Sequence, residues 1–193
     1  MTAGVPAIKS QPVYHPLAWD ASGQSHLLLL AARDATLDDG LLASPPAGPL
    51  RIISCAGPVA DPAAAGAAVE VAASLEGALD ALEKALRHAN MGLRLYLVGP
   101  EDAIWQARAI ASAYGMGNQE VRLYRTGTLA RPVFCVHCRA TTRSVRTNLV
   151  DCSGCGRTLF VRDHFSRRLG AYMGFQIDAE APGQKPPVET VYP

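Results

Sequence analysis

The chain has 193 residues, 49% hydrophobic and 18% charged, with a formal net charge of +1. That length allows one ordinary core, or a modest α/β domain joined to a metal-stapled module. Near-neutrality gives no global attraction to nucleic acid or to a membrane, and the longest strongly apolar run, Leu27 to Ala32, falls far short of the ~20 residues of a membrane helix.

In chain order, residues 1–25 read as an irregular segment punctuated by Pro6, Pro12 and Pro16. Met1 to Pro16 shows no basic stretch followed by an apolar one, which predicts a cytoplasmic chain without a secretory signal. His26 to Ala32 predicts a short buried strand. The Gly- and Pro-dense stretch Pro45 to Pro49 then turns the chain into a second apolar run, Leu50 to Cys55. Ala-rich sequence from Pro62 leads into the clearest helix. Val71, Leu75, Leu79, Leu82 and Leu86 share one face, and Asp80/Lys84 and Glu83/Arg87 pair on the other. Asn90 and Gly92 suit its end. Leu93 to Val98 predicts a third strand, Gly99-Pro100 a turn, and Glu101 to Tyr114 a second helix whose N-terminus favours Glu101 and Asp102. Val121 to Tyr124 reads as a further strand. The alternation predicts an α/β fold, a small, mostly parallel, helix-covered sheet over residues 26–130, followed by a four-cysteine ribbon over 131–177 and a loose Pro-rich tail over 178–193.

The five cysteines decide the chemistry. Four form two CxxC pairs, Cys135/Cys138 and Cys152/Cys155, and the fifth, Cys55, has no mate in sequence. A CxxC turn converges two thiolates on one ion, and two such turns complete a closed tetrahedron. Gly154 and Gly156 supply the tight backbone of the second turn, and Val133-Phe134 and Arg143 to Val150 the short strands. One metal ion in four thiolates is expected, zinc by default, with iron able to occupy the same tetrahedron as in rubredoxin. His137 lies inside the first pair and is read as a neighbour of the site or a surface residue, not as a ligand.

After the ribbon, Asp163 reads as a helix N-cap with Phe165, Leu169, Tyr172 and Met173 on one face. That face either packs within the chain or, with Arg167 and Arg168 at its rim, docks a partner subunit. His164 beside Asp163 is a pH-sensitive pair or a structural hydrogen-bonder; Trp19 and Trp105 read as core or interface. Arg139, Arg143, Arg146, Arg157, Arg162, Arg167 and Arg168 make this part locally basic, so a zinc-ribbon nucleic-acid binder is the rival class.

Two stretches carry family resemblances. Leu95-Tyr96-Leu97-Val98-Gly99-Pro100-Glu101, the helix after it and Val121 to Tyr124 resemble the last half of the nicotinamide-binding domain of ferredoxin reductases. Val98 stands where that family has its catalytic cysteine, no G-x-G-x-x-G loop follows an early strand, and Cys55-Ala56-Gly57-Pro58 is the nearest stretch to one. The resemblance therefore implies a degenerate domain kept as scaffold. Cys135 to Cys155, followed by Leu159-Phe160-Val161-Arg162-Asp163-His164-Phe165-Ser166-Arg167-Arg168-Leu169-Gly170-Ala171-Tyr172-Met173-Gly174-Phe175, is similar to the small DmmA-type subunit of dimethylamine monooxygenase. That resemblance implies an accessory or electron-relaying subunit, not catalytic alone, of a heteromeric NADPH-dependent oxygenase. The complex would convert dimethylamine to methylamine and formaldehyde. A flavin and iron–sulfur reductase subunit and a haem-bearing subunit would be its partners, with those cofactors on them and not here.

Overall fold

A computed structural model describes residues 10–32, 39–55 and 66–193. It divides into two compact units, residues 14–129 and residues 1–13 with 130–193.

The first unit is built on β1 (Ser25–Leu30), β2 (Leu50–Ser54), β3 (Ala68–Val71), β4 (Leu93–Gly99) and β5 (Val121–Arg125). All pair in parallel, in the order β3-β2-β1-β4-β5. The central strands are buried on both faces along most of their length, which is why apolar residues dominate them with little alternation; Arg51 of β2 is their exposed residue. On one face Leu28, Leu30, Leu50, Ile52, Tyr96 and Val98 form a cluster covered by Leu17, Trp19 and Leu42 of α1 (Asp39–Ala43). Residues of opposite parity, Leu27, Leu29, Ile53, Leu95 and Leu97, face the other way. There α2 (Leu75–Arg87) and α3 (Glu101–Ala113) pack on the sheet and on each other. Ser74 caps α2 by accepting from the Gly77 N–H at 3.2 Å. The helix starts there and not earlier: Ala68–Val71 forms the edge strand β3, so Val71 lies outside the helical face on which its spacing places it. Four residues that also fit a helix are claimed by a free sheet edge.

Each end of this sheet holds a polar cluster. At the entry of β1 and β4, the Tyr96 hydroxyl accepts from the Asp20 N–H at 2.9 Å and lies 2.9 Å from Nδ1 of the buried His26. Trp19 packs edge-on against Tyr96, and its Nε1 donates to the Leu41 carbonyl. Burial lowers the His26 pKa below its ordinary value near 6.5, while Asp20, hydrogen-bonded by Ser22 and facing Arg94 and Arg122, stays ionised well below that range. A histidine whose folded pKa is depressed binds fewer protons than the unfolded chain below about pH 6.5. Its contribution is complete above that pH and is lost as pH falls towards the folded value. Urea titrations from pH 7.5 to 5 should therefore show falling stability, and His26→Asn should flatten the slope; an unchanged slope would assign it to other groups.

The second unit is a five-stranded sheet of order β7-β6-β10-β9-β8. Its strands are β6 (Arg131–Cys135), β7 (Thr141–Val145), β8 (Leu149–Asp151), β9 (Thr158–Ser166) and β10 (Ala171–Gln176). The expected helix from Asp163 is absent: those residues form the antiparallel β9–β10 hairpin. Along β9, Leu159, Val161 and Phe165 are buried, with exposed or half-buried residues between them. This period of two overrides the helical spacing of Phe165, Leu169 and Tyr172, because the hairpin lets β10 also pair with β6. Phe165 and Tyr172 meet edge-on at 4.9 Å and are 7% and 1% exposed within the chain itself. Asp163 is no N-cap; it pairs with Arg131 at 2.6 Å. The Arg131 guanidinium lies over the Tyr172 and Tyr192 rings at 4.2 and 3.9 Å. Residues of the 178–193 segment bond Asn148 through Pro187 and Glu189.

Candidate metal centre

Two backbone turns of one design build the site. Cys135 ends β6 and Cys152 follows β8. In the first turn the Cys135 N–H donates to the Ala140 carbonyl, and the Arg139 N–H returns to the Cys135 carbonyl, both at 2.9 Å. In the second, Cys152 and Arg157, and Gly156 and Cys152, repeat those bonds at the same length. The fifth residue of each turn is left-handed, Arg139 with φ 66° and Gly156 with φ 70°.

The four Sγ atoms lie within 4.8 Å of one another. Cys135 to Cys155 is 3.9 Å and Cys138 to Cys152 is 3.5 Å, well beyond a disulfide. Zn–S bonds of about 2.3 Å imply tetrahedral S···S edges of about 3.8 Å, so the spacing fits one ion. A Cβ on Gly154 would stand 2.6 Å from Ala140 Cβ and 3.1 Å from Cys138 Sγ, so the two turns close only around glycine. The thiols do not ionise alike. The Arg157 N–H, joined by its guanidinium, brings Cys155 down to about 6. The Ala140 N–H favours the Cys138 thiolate, yet burial and the three sulfur neighbours push that thiol up to about 12. Four thiolates this close repel one another; a dication relieves the repulsion and displaces the remaining protons. The residues can therefore hold one metal ion.

Cys135 and Cys152 are buried, whereas Cys138 and Cys155 are half-exposed. His137 is exposed and outside the sulfur set; its Nδ1 lies 3.0 Å from Arg157 Nη1. That contact spans twenty residues of sequence and has no local signature, so the sequence gives no sign of Arg157's place beside the site. Cys55 is buried at the end of β2, apart from the cluster, and residues 56–58 of its loop lie outside the described residues.

The other sequence-marked residues disperse. Arg167, Arg168 and Leu169 occupy the exposed 167–170 turn between β9 and β10. Because β6 and β10 are parallel and β6 ends at Cys135, this turn lies at the end of the sheet opposite the cysteines. Cys135 stands beside Gly174, four residues beyond Gly170, so at ~3.3 Å per residue the turn and this cysteine are about 13 Å apart along the strands. Val98, at the position of the reductases' cysteine, is fully buried in β4. Beyond β4, buried Glu101 opens α3 and accepts from the Tyr14 hydroxyl at 2.6 Å, and Trp105 Nε1 donates to that hydroxyl at 2.9 Å. Arg125 stands 3.9 Å from the same carboxylate. This negative group stands at the helix N-terminus, the place where an anionic ligand of such a sheet would be favoured. Among the described residues no helix is long and apolar enough to cross a membrane.

Fold and site define a two-unit protein, a parallel α/β sheet joined to a four-cysteine metal ribbon. The chain belongs to the dimethylamine monooxygenase subunit DmmA-like family: the model of that family's N-terminal domain matches residues 6–121 and that of its C-terminal domain residues 132–175. It is also 41% identical, over 103 residues, to a protein of Ectopseudomonas mendocina (strain ymp) described as heme-dependent oxidative N-demethylase delta subunit. That match covers 53% of this chain and 59% of the relative. No solved structure matches.

Proposed function

We propose that this chain is an accessory, non-catalytic subunit of a heteromeric, haem-dependent oxidative N-demethylase that converts dimethylamine to methylamine and formaldehyde. Electrons come from NADPH through a partner subunit carrying flavin and an iron–sulfur cluster, and the haem sits on another. The observation that carries this reading is that both units match the two domains of one subunit family, while the relative is itself described as the delta subunit of such an enzyme. The α/β unit serves as scaffold in this reading, and the 167–170 turn as the docking element, with Leu169 41% exposed between arginines and glycine. The four cysteines hold zinc that shapes the ribbon.

Reconstitution tests it. The haem and reductase subunits should release formaldehyde from dimethylamine at full rate only with this chain present; full activity without it would retire the assignment. Zinc in the purified protein, with no visible absorption, agrees with the structural role, whereas stoichiometric iron would restore the relay. Arg167→Ala with Arg168→Ala should slow association and change its salt dependence, as expected of rim charges.

One observation favours a second reading: residues 130–193 hold nine Lys or Arg against five Asp or Glu. On that reading the ribbon binds nucleic acid, and affinity purification would recover salt-sensitive nucleic acid in place of oxygenase subunits.

A further inference from the structure

Arg157 follows the second cysteine pair by two residues, and its guanidinium is fixed in place. Nε donates to Gln176 Oε1 at 3.0 Å, and that amide is itself held by Asp178 at 2.9 Å. Nη1 lies 3.0 Å from His137 Nδ1. A guanidinium only donates, so in this contact His137 Nδ1 is the acceptor. His137 sits between Cys135 and Cys138, so this bond ties the second turn to the first.

Four thiolates around one dication keep a net charge of −2. The sulfurs are not equally shielded: Cys135 and Cys152 are buried and Cys138 and Cys155 half-exposed. Cys152 Sγ accepts from the Gly154 N–H at 3.4 Å. Two residues beyond the half-exposed Cys155 is Arg157, whose guanidinium reaches the first turn at His137. We propose that Arg157, braced by His137 and Gln176, is a positioning residue of the four-thiolate centre, tying its two turns together and holding a cation near its residual negative charge. The inference rests on the metal reading above and adds a requirement that the four cysteines alone do not contain. Partners of this kind around a metal commonly change affinity by about 10- to 100-fold when removed.

The test uses the full chain loaded with cobalt(II), whose tetrathiolate absorption bands report occupancy during competition with a chelator. Arg157→Gln should weaken cobalt binding by about 10- to 100-fold. Arg157→Lys should fall between the two, because it keeps the charge and loses the planar fork. Gln176→Ala, which removes one brace but keeps the cation and its contact with His137, should weaken binding less than Arg157→Gln does. Unchanged affinity in Arg157→Gln overturns the proposal, as does equal weakening in Gln176→Ala, which would mean that Arg157 only fastens β9 to β10. An Arg157→Gln chain that fails to fold with cobalt in excess overturns it as well, since its role would then be fold-wide. Absence of the bands in wild type instead retires the metal reading itself, a separate and recognisable failure.

Discussion

Replacing any one of Cys135, Cys138, Cys152 or Cys155 with Ser is expected to release the metal and unfold the ribbon unit. The sheet there is small, and two of its strands, β7 and β8, have five and three residues. Structural zinc contributes ~10–16 kcal/mol of folding free energy in small modules, comparable to the ~5–15 kcal/mol net stability of a whole domain. No rearrangement of the remaining contacts offsets a loss of that size. The α/β unit has its own core and should keep its cooperative melt, so one transition survives while the other disappears. Metal analysis beside a thermal scan reads both effects. Full occupancy after two ligands are replaced would contradict the assignment. Cys55→Ala should cost only packing, because Cys55 lies in the other unit; metal loss in that variant would mean a wrong ligand set.

The Phe165→Ala/Tyr172→Ala double variant should unfold or precipitate with no partner present. The two rings contact each other inside the hairpin, and Tyr172 also stacks on Arg131, which is tied to Asp163. Truncating a buried aromatic costs ~3–5 kcal/mol, so the pair approaches the stability of the unit. Leu169→Ala, Arg167→Ala and Arg168→Ala lie on the exposed turn and should change stability by no more than ~0.5 kcal/mol each. Melting curves run beside a pull-down with the proposed partner subunits separate the two groups. A double variant that melts like wild type yet loses its partner would return Phe165 and Tyr172 to the docking surface.

The contrast between these residues shows how far local pattern reaches. Phe165, Leu169 and Tyr172 have helical spacing, but Leu159, Val161 and Phe165 alternate with period two. The sequence carries both periods, and only the pairing of β10 with β6 and β9 decides between them. Val71 is a second case: its spacing suits α2, yet it ends the edge strand β3. Isolated short segments contain too few residues to discriminate, and sheet pairing, which is non-local, contributes the deciding hydrogen bonds.

What needed no tertiary information was whatever chemistry acts over a few residues. The buried strands β1, β2 and β4 show as mostly apolar runs because both faces of a parallel sheet are covered. The start of α3 shows in Glu101 and Asp102, and the cysteine set in two CxxC spacings, because the helix-dipole preference and thiolate convergence are local. The tertiary structure alone decided which strands are neighbours, that the 167–170 turn stands at the far end of the sheet from the sulfurs, and that Arg157 reaches His137 and Gln176. The Arg157 contacts span about twenty residues, and the β1–β4 and β6–β10 pairings many more. Register is set by the packing of the whole unit, and no short stretch of sequence carries it.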